Sequence, residues 1–202
     1  MPRKRKPAEI DTQHTFRWAI WDVETWDHKP EFGPLLCACV LLEPEGTMLT
    51  LRQDSYVASG MAADMTDDRQ LCCDLRDLLL SRHMHVGYFS TGFDIKQLRT
   101  RLAWHGEKRL LERRLHADPI WAFKGWRGLD PMSSAMKNVA KFFKLTEQKP
   151  EVQPETWLKA RTGQPRAMAE VIDRCAADVR ITKAIFVKAL DLNLMTGIRN
   201  YP

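Results

Sequence analysis

The first ordered pattern in the chain is an alternation. Along 16–24 (FRWAIWDVE), Trp18, Ile20, Asp22 and Glu24 project to one side and Arg17, Ala19, Trp21 and Val23 to the other. That is the period of two of a β-strand. Residues 34–43 (PLLCACVLLE) form a nearly unbroken apolar run, as a strand covered on both faces requires. The PEG turn at 44–46 leads into renewed alternation over 47–53 (TMLTLRQ). Three strands on such short connections predict an antiparallel meander.

The period then lengthens. Over 66–82, Leu71, Leu75, Leu78 and Leu79 share one helical face, and Thr66, Asp67 and Asp68 suit the N-terminus. A short strand is expected at 83–89 (HMHVGYF). A helix follows over 92–106, with Ile95, Leu98 and Leu102 on one face and Gly106 as its C-terminal cap. Residues 114–123 read as a fifth strand and a loop. The spacing predicts another helix over 130–145, with Pro131 in its first turn. Its apolar stripe is Met132, Met136, Val139, Ala140 and Phe143; its basic stripe is Lys137, Lys141 and Lys144. The polar stretch 143–157 reads as a mobile loop, and 165–190 as one long helix or two abutting ones. The sum is an α/β fold: a mixed five-stranded sheet, its first three strands an antiparallel meander, flanked by helices.

Composition narrows the class. The chain has 202 residues, 44% apolar and 28% charged, which fits one globular domain over 15–202. Residues 1–14, with PRKRKP at 2–7, read as a basic, flexible arm. No apolar run reaches the roughly 18 residues of a membrane span, and the N-terminus lacks the apolar segment of a secretory signal, so a cytoplasmic location is expected. Net charge of +5 leans weakly toward a polyanionic partner. Five cysteines in no C-x-x-C pair read as packing residues rather than zinc ligands.

Four acids do not fit their elements. Asp22 and Glu24 share the core-directed face of the first strand, where an ionised carboxylate costs several kcal/mol unless paired or metal-bound. Asp94 stands early in a helix directly after a strand. Asp178 falls on a largely apolar helix face with Val171, Cys175, Thr182 and Ile185, and Arg174 lies four residues before it. Taken singly, each has a plain reading as a solvated end, a dipole-favoured acid or a salt bridge to Arg174. Taken together, they are the oxygen-rich set that hard cations such as Mg²⁺ and Mn²⁺ take.

In this arrangement the residues resemble the DEDD (DnaQ-like) superfamily of 3′→5′ exonucleases, which carry the ribonuclease H-like fold. WAIWDVETW is similar to the first motif, VGYFSTGFDIKQLRTRL to the second and DRCAADVRIT to the third, spanning roughly 16–190. The small stand-alone members of bacteriophages and bacteria are the nearest in flavour. The resemblance implies two divalent ions, Mg²⁺ or Mn²⁺. Asp22, Glu24 and Asp178 would hold the first ion, Asp22 would bridge to the second, and Asp94 would hold that one through water. Asp118 is expected to be a supporting acid. The superfamily's Tyr or His stands four or five residues before the last Asp; here those positions are Arg174 and Asp173. Arg174 is therefore a candidate modulator that could pair with Asp178. By chemistry His83, His85, His105 and His116 are substitutes, though surface or core roles are expected of them.

A strand-binding groove needs aromatics for bases and cations for phosphates. Trp26, Tyr88, Phe89, Lys124, Trp126, Arg127, Lys137 and Lys141 are the candidates. The reading is a metal-dependent 3′→5′ exonuclease acting on the 3′ end of single-stranded DNA or RNA. Two alternatives stay open: a catalytically degenerate nuclease fold that binds nucleic acid or a protein, and an endonuclease of the ribonuclease H or resolvase type.

Overall fold

The computed structural model describes residues 16–201 apart from 110, 112–113, 125–128, 130, 132 and 196–197; the expected arm at 1–14 lies outside the described residues. Strand β1 (Trp18–Thr25) is the axis of the fold. It pairs antiparallel with β2 (Leu35–Glu43), which pairs antiparallel with β3 (Thr47–Arg52). On its other side β1 pairs parallel with β4 (Met84–Val86), and β4 pairs parallel with β5 (Arg114–Ala117). This is the expected α/β, ribonuclease H-like sheet with its opening meander. A short sixth strand, β6 (Arg199–Tyr201), extends the edge antiparallel to β5, giving the order β3-β2-β1-β4-β5-β6.

The alternation in β1 divides the molecule into two apolar layers. Ala19, Trp21 and Val23 pack against helices α2 (Arg69–Leu80) and α3 (Asp94–Trp104), through Leu71, Leu75, Leu79, Leu98 and Leu102. Trp18 and Ile20 face the opposite layer, built on Met168, Val171, Cys175 and Val179 of the long C-terminal helix. Each such side chain taken from water contributes about 1.5–3 kcal/mol. Strand β2 is buried throughout except for its last residue, as its unbroken apolar run requires. The C-terminal helix is one continuous element, Pro165–Asp191.

Asp68 ties the first layer to the meander. Fully buried, it accepts from Leu35 N (2.7 Å), Arg101 Nη2 (2.6 Å) and His105 Nε2 (2.6 Å).

Three elements depart from the pattern reading. Helix α1 (Gln53–Ala58) follows β3 at once, with buried Gln53 donating to the carbonyls of Asp64 and Asp67 at 3.0 and 2.8 Å. Helix α4 is only Met136–Phe142. The stretch expected to be loop over 143–157 is irregular only to Gln153; α5 (Pro154–Arg161) begins there, with proline and Glu155 in its first turn and Lys159 and Arg161 in its last. Those residues complement a helix dipole, a signal that the polar composition outweighed. The C-terminal helix is thus α6. Among the described residues, no helix is long and apolar enough to cross a membrane.

Candidate metal centre

The four acids converge where β1 and β4 end, the side of a sheet on which α/β folds bind ligands. Asp22 and Glu24 lie on the face of β1 that packs against α6, and α6 brings Asp178 to meet them. One carboxylate oxygen from each of these three lies within 4.8 Å of the others. Asp94, the first residue of α3, is 4% exposed, and its Oδ1 accepts from Val23 N at 3.2 Å. All four line one cleft of about 510 Å³, a volume typical of ligand sites.

Burial and mutual repulsion shape the chemistry. Burial pushes Asp22 well above the usual carboxylate range, and Asp94, Glu24 and Asp178 push it further. Burial holds Glu24 up at about 7, with Asp178 adding to the rise while Arg174 and Lys149 oppose it. Asp94 is raised to about 7, again chiefly by burial, and Asp178 is raised for the same first reason. Such a group of acids calls for positive charge.

Two side chains supply part of it. Lys149 Nζ, from the strap between α4 and α5, pairs with Asp178 Oδ2. Arg174 Nε donates to Glu24 Oε1 at 3.1 Å, and its Nη1 donates to Pro150 O at 3.0 Å. The Arg174–Asp178 pair that the spacing left open is replaced: Arg174 reaches across to the strand, and Lys149 takes the helix acid. Lys149 had no sequence signal beyond a lysine before proline in a polar segment. Asp178 Oδ1 is buried with no hydrogen-bond partner among the described residues. An orphaned carboxylate oxygen beside two more carboxylates, with oxygen donors throughout, fits a hard divalent cation.

The remaining candidates separate. Tyr88, Phe89 and Lys124 line the cleft with the acids. Tyr88 is buried and donates to Ser134 O at 2.5 Å; burial raises its hydroxyl pKa. Trp26 lies apart, half-buried against the α6 layer under the guanidinium of Arg161, 5.5 Å from the ring centre. Lys137 pairs with Glu151 at 2.8 Å on the surface, and Lys141 is exposed on α4; neither lines the cleft. Trp126 and Arg127 lie outside the described residues. Asp118 is a supporting acid, accepting from Phe89 N (2.7 Å), Thr91 Oγ1 (2.7 Å) and Ile120 N (3.3 Å).

None of the four histidines lines the cleft. His83 accepts from Arg17 N, and His105 joins Asp68. His85 and His116 are buried, which lowers them to about 4 and about 3. Cys37, Cys39 and Cys175 are buried free thiols in the α6 layer. Cys175 Sγ donates to Asp22 O at 3.3 Å, fixing the strand beneath its acids.

No protein-family model matches the sequence, and no curated protein matches it. Solved structures do match. A family B DNA polymerase from the hyperthermophilic archaeon Pyrobaculum calidifontis superposes with a TM-score of 0.67 at 18% identity, over 89% of this chain. The match spans 25% of the polymerase chain. At that identity the likeness establishes the fold, an α/β mixed sheet flanked by helices that this chain shares with part of a DNA polymerase.

Proposed function

We propose that the protein is a divalent-metal-dependent 3′→5′ exonuclease that hydrolyses phosphodiester bonds of single-stranded DNA or RNA. The observation that carries this reading is the meeting of Asp22, Glu24 and Asp178 oxygens within 4.8 Å, with Asp94 in the same cleft. By the superfamily resemblance, Asp22, Glu24 and Asp178 would hold one ion, and Asp22 and Asp94 would serve a second. Bound there, divalent ions supply an activated water and neutralise the leaving alkoxide. The chain's own groups do the rest. The buried acids fix the charge in place at the sheet end. The Asp118-braced turn at 89–91 carries Phe89 into the cleft beside Lys124.

A second reading has its own observation. Lys149 and Arg174 already engage Asp178 and Glu24, as they would in a nuclease fold that binds nucleic acid or protein without cutting. Digestion of matched DNA and RNA oligonucleotides, labelled at either end, in Mg²⁺ or Mn²⁺ separates the readings. Monomers from a 3′ label and a shortening ladder from a 5′ label support the exonuclease. Internal fragments from both labels indicate an endonuclease, and intact strands indicate the binding module.

A further inference from the structure

The strap between α4 and α5 is held mainly by charge. Among the described residues, no backbone N–H of 146–152 is bonded to a backbone carbonyl. Its apolar anchors, Leu145 and Val152, stand at either end and pack into different layers. Between them run Thr146, Glu147, Gln148, Lys149, Pro150 and Glu151, all polar but the proline. Two ion pairs of this run lie on the surface: Glu147 with Arg180 at 2.7 Å and Glu151 with Lys137 at 2.8 Å. Solvent screens such pairs, and each contributes little.

The strap's other contacts end on the acid cluster. Lys149 Nζ pairs with Asp178, whose side chain is 3% exposed. Arg174, which donates to Glu24 through Nε, holds Pro150 O through Nη1. Lys149 lines the cleft with all four acids, and its charge opposes the upward shift of Asp22, Glu24 and Asp178 alike. Those are the three acids whose oxygens converge within 4.8 Å. The ammonium therefore neutralises the same oxygens that a hard cation would take. It does so incompletely. An ammonium brings one charge, whereas a divalent ion brings two and can also engage Asp178 Oδ1, the buried oxygen without a partner.

We infer, on the metal-dependent reading above, that the strap is a latch: in the resting protein Lys149 stands in for a divalent ion, and metal binding displaces the ammonium and frees 146–151. Two positive centres drawn to one set of oxygens repel each other. The lysine, on a flexible stem in a run without backbone–backbone bonds, yields more readily than acids fixed on β1, α3 and α6. Its departure removes the least exposed of the strap's ion pairs. The cleft then opens on the Lys149 side in metal-loaded protein, so metal binding precedes strand binding.

Limited proteolysis reads the latch without any nucleic acid. A glutamate-specific endoprotease acts after Glu147 and Glu151 in the strap, and after Glu45 in the β2–β3 turn as an internal control. The full chain is digested in chelator and in Mn²⁺, and the fragments are quantified by mass spectrometry. In wild type, Mn²⁺ is expected to speed strap cleavage about tenfold relative to Glu45, since the rate follows the population of the open form. Lys149→Met is expected to be cleaved at that faster rate in chelator already, with little further response to Mn²⁺. Lys149→Arg, which keeps the charge, is expected to restore slow cleavage in chelator. Calorimetric titration of the same proteins with Mn²⁺ separates the two ideas. Mn²⁺ bound with strap cleavage unchanged or slowed overturns the latch and leaves the metal site standing. No Mn²⁺ bound by wild type or by Lys149→Met overturns the metal reading, and the latch with it.

Discussion

Glu24→Gln is expected to make the metal-free protein more stable while disabling its metal site. Folded Glu24 keeps its proton to about 7, where an ordinary glutamate releases it near 4.5. Between those values the folded state binds more protons than the unfolded chain, so stability falls as pH rises, and the loss is complete above about 7. The gap corresponds to about 3 kcal/mol at most. Glutamine cannot ionise, and its carbonyl can still accept from Arg174 Nε. In a domain of about 200 residues each kcal/mol moves the midpoint by about 2–4 °C, so the variant is expected to melt up to about 6–12 °C higher at pH ~8 in chelator. Near pH ~4 the two proteins converge, since both carry a neutral side chain. Mn²⁺ reverses the order at neutral pH. A ligand at a hundredfold its Kd adds about 2.7 kcal/mol, which wild type gains and the variant largely forgoes. Calorimetric melting with and without Mn²⁺, across pH, reads all of this. A midpoint for Glu24→Gln equal to or below wild type at pH ~8 in chelator would refute the charge reasoning.

Two further outcomes follow from named contacts. Lys149→Met removes the cation paired with Asp178, and isothermal titration is expected to show Mn²⁺ binding tighter by about tenfold, a gain of about 1.4 kcal/mol; weaker binding would mean that Lys149 helps to build the site rather than competing for it. Asp68→Ala leaves Arg101, 3% exposed, without its carboxylate, and urea unfolding is expected to show a loss of about 3–5 kcal/mol; neither Asp68, Arg101 nor His105 lines the acid cleft, so Mn²⁺ affinity is expected to change little.

Three of the four acids were legible because they broke a local rule, while Asp94, ordinary at a helix start, was legible only in company with them. Asp22 and Glu24 spoiled a core face, Asp178 interrupted an apolar helix stripe, and their order along the chain supplied the resemblance. The period-two and helical patterns placed β1, β3, α2, α3 and α6 for the same reason, since burial on one face imprints a repeat on the sequence, and β2 showed as an unbroken apolar run because both its faces are covered. Lys149 left no such imprint. Its place depends on where the 143–153 strap crosses α6, set by Glu147 pairing with Arg180 at 2.7 Å and Arg174 holding Pro150 O. Both contacts join positions far apart in the chain, and neither belongs to a repeat. Arg174 was visible as a departure, but its partner was not. The i−4 spacing favoured Asp178, whereas the β1–α6 packing put Glu24 within its reach. Phe89 read only as one aromatic among several; its left-handed backbone and the glycine beneath its ring exist only in the folded turn.

The central claim is that the carboxylate cluster cuts nucleic acid through divalent metal. Its most direct test is digestion of a 3′-end-labelled single strand by wild type, Asp22→Ala and Asp178→Ala, each in Mn²⁺ and in chelator. The predicted result is release of labelled mononucleotide by wild type in Mn²⁺ alone, with both variants inactive. Equal digestion by wild type and either variant, or digestion that persists in chelator, would contradict it.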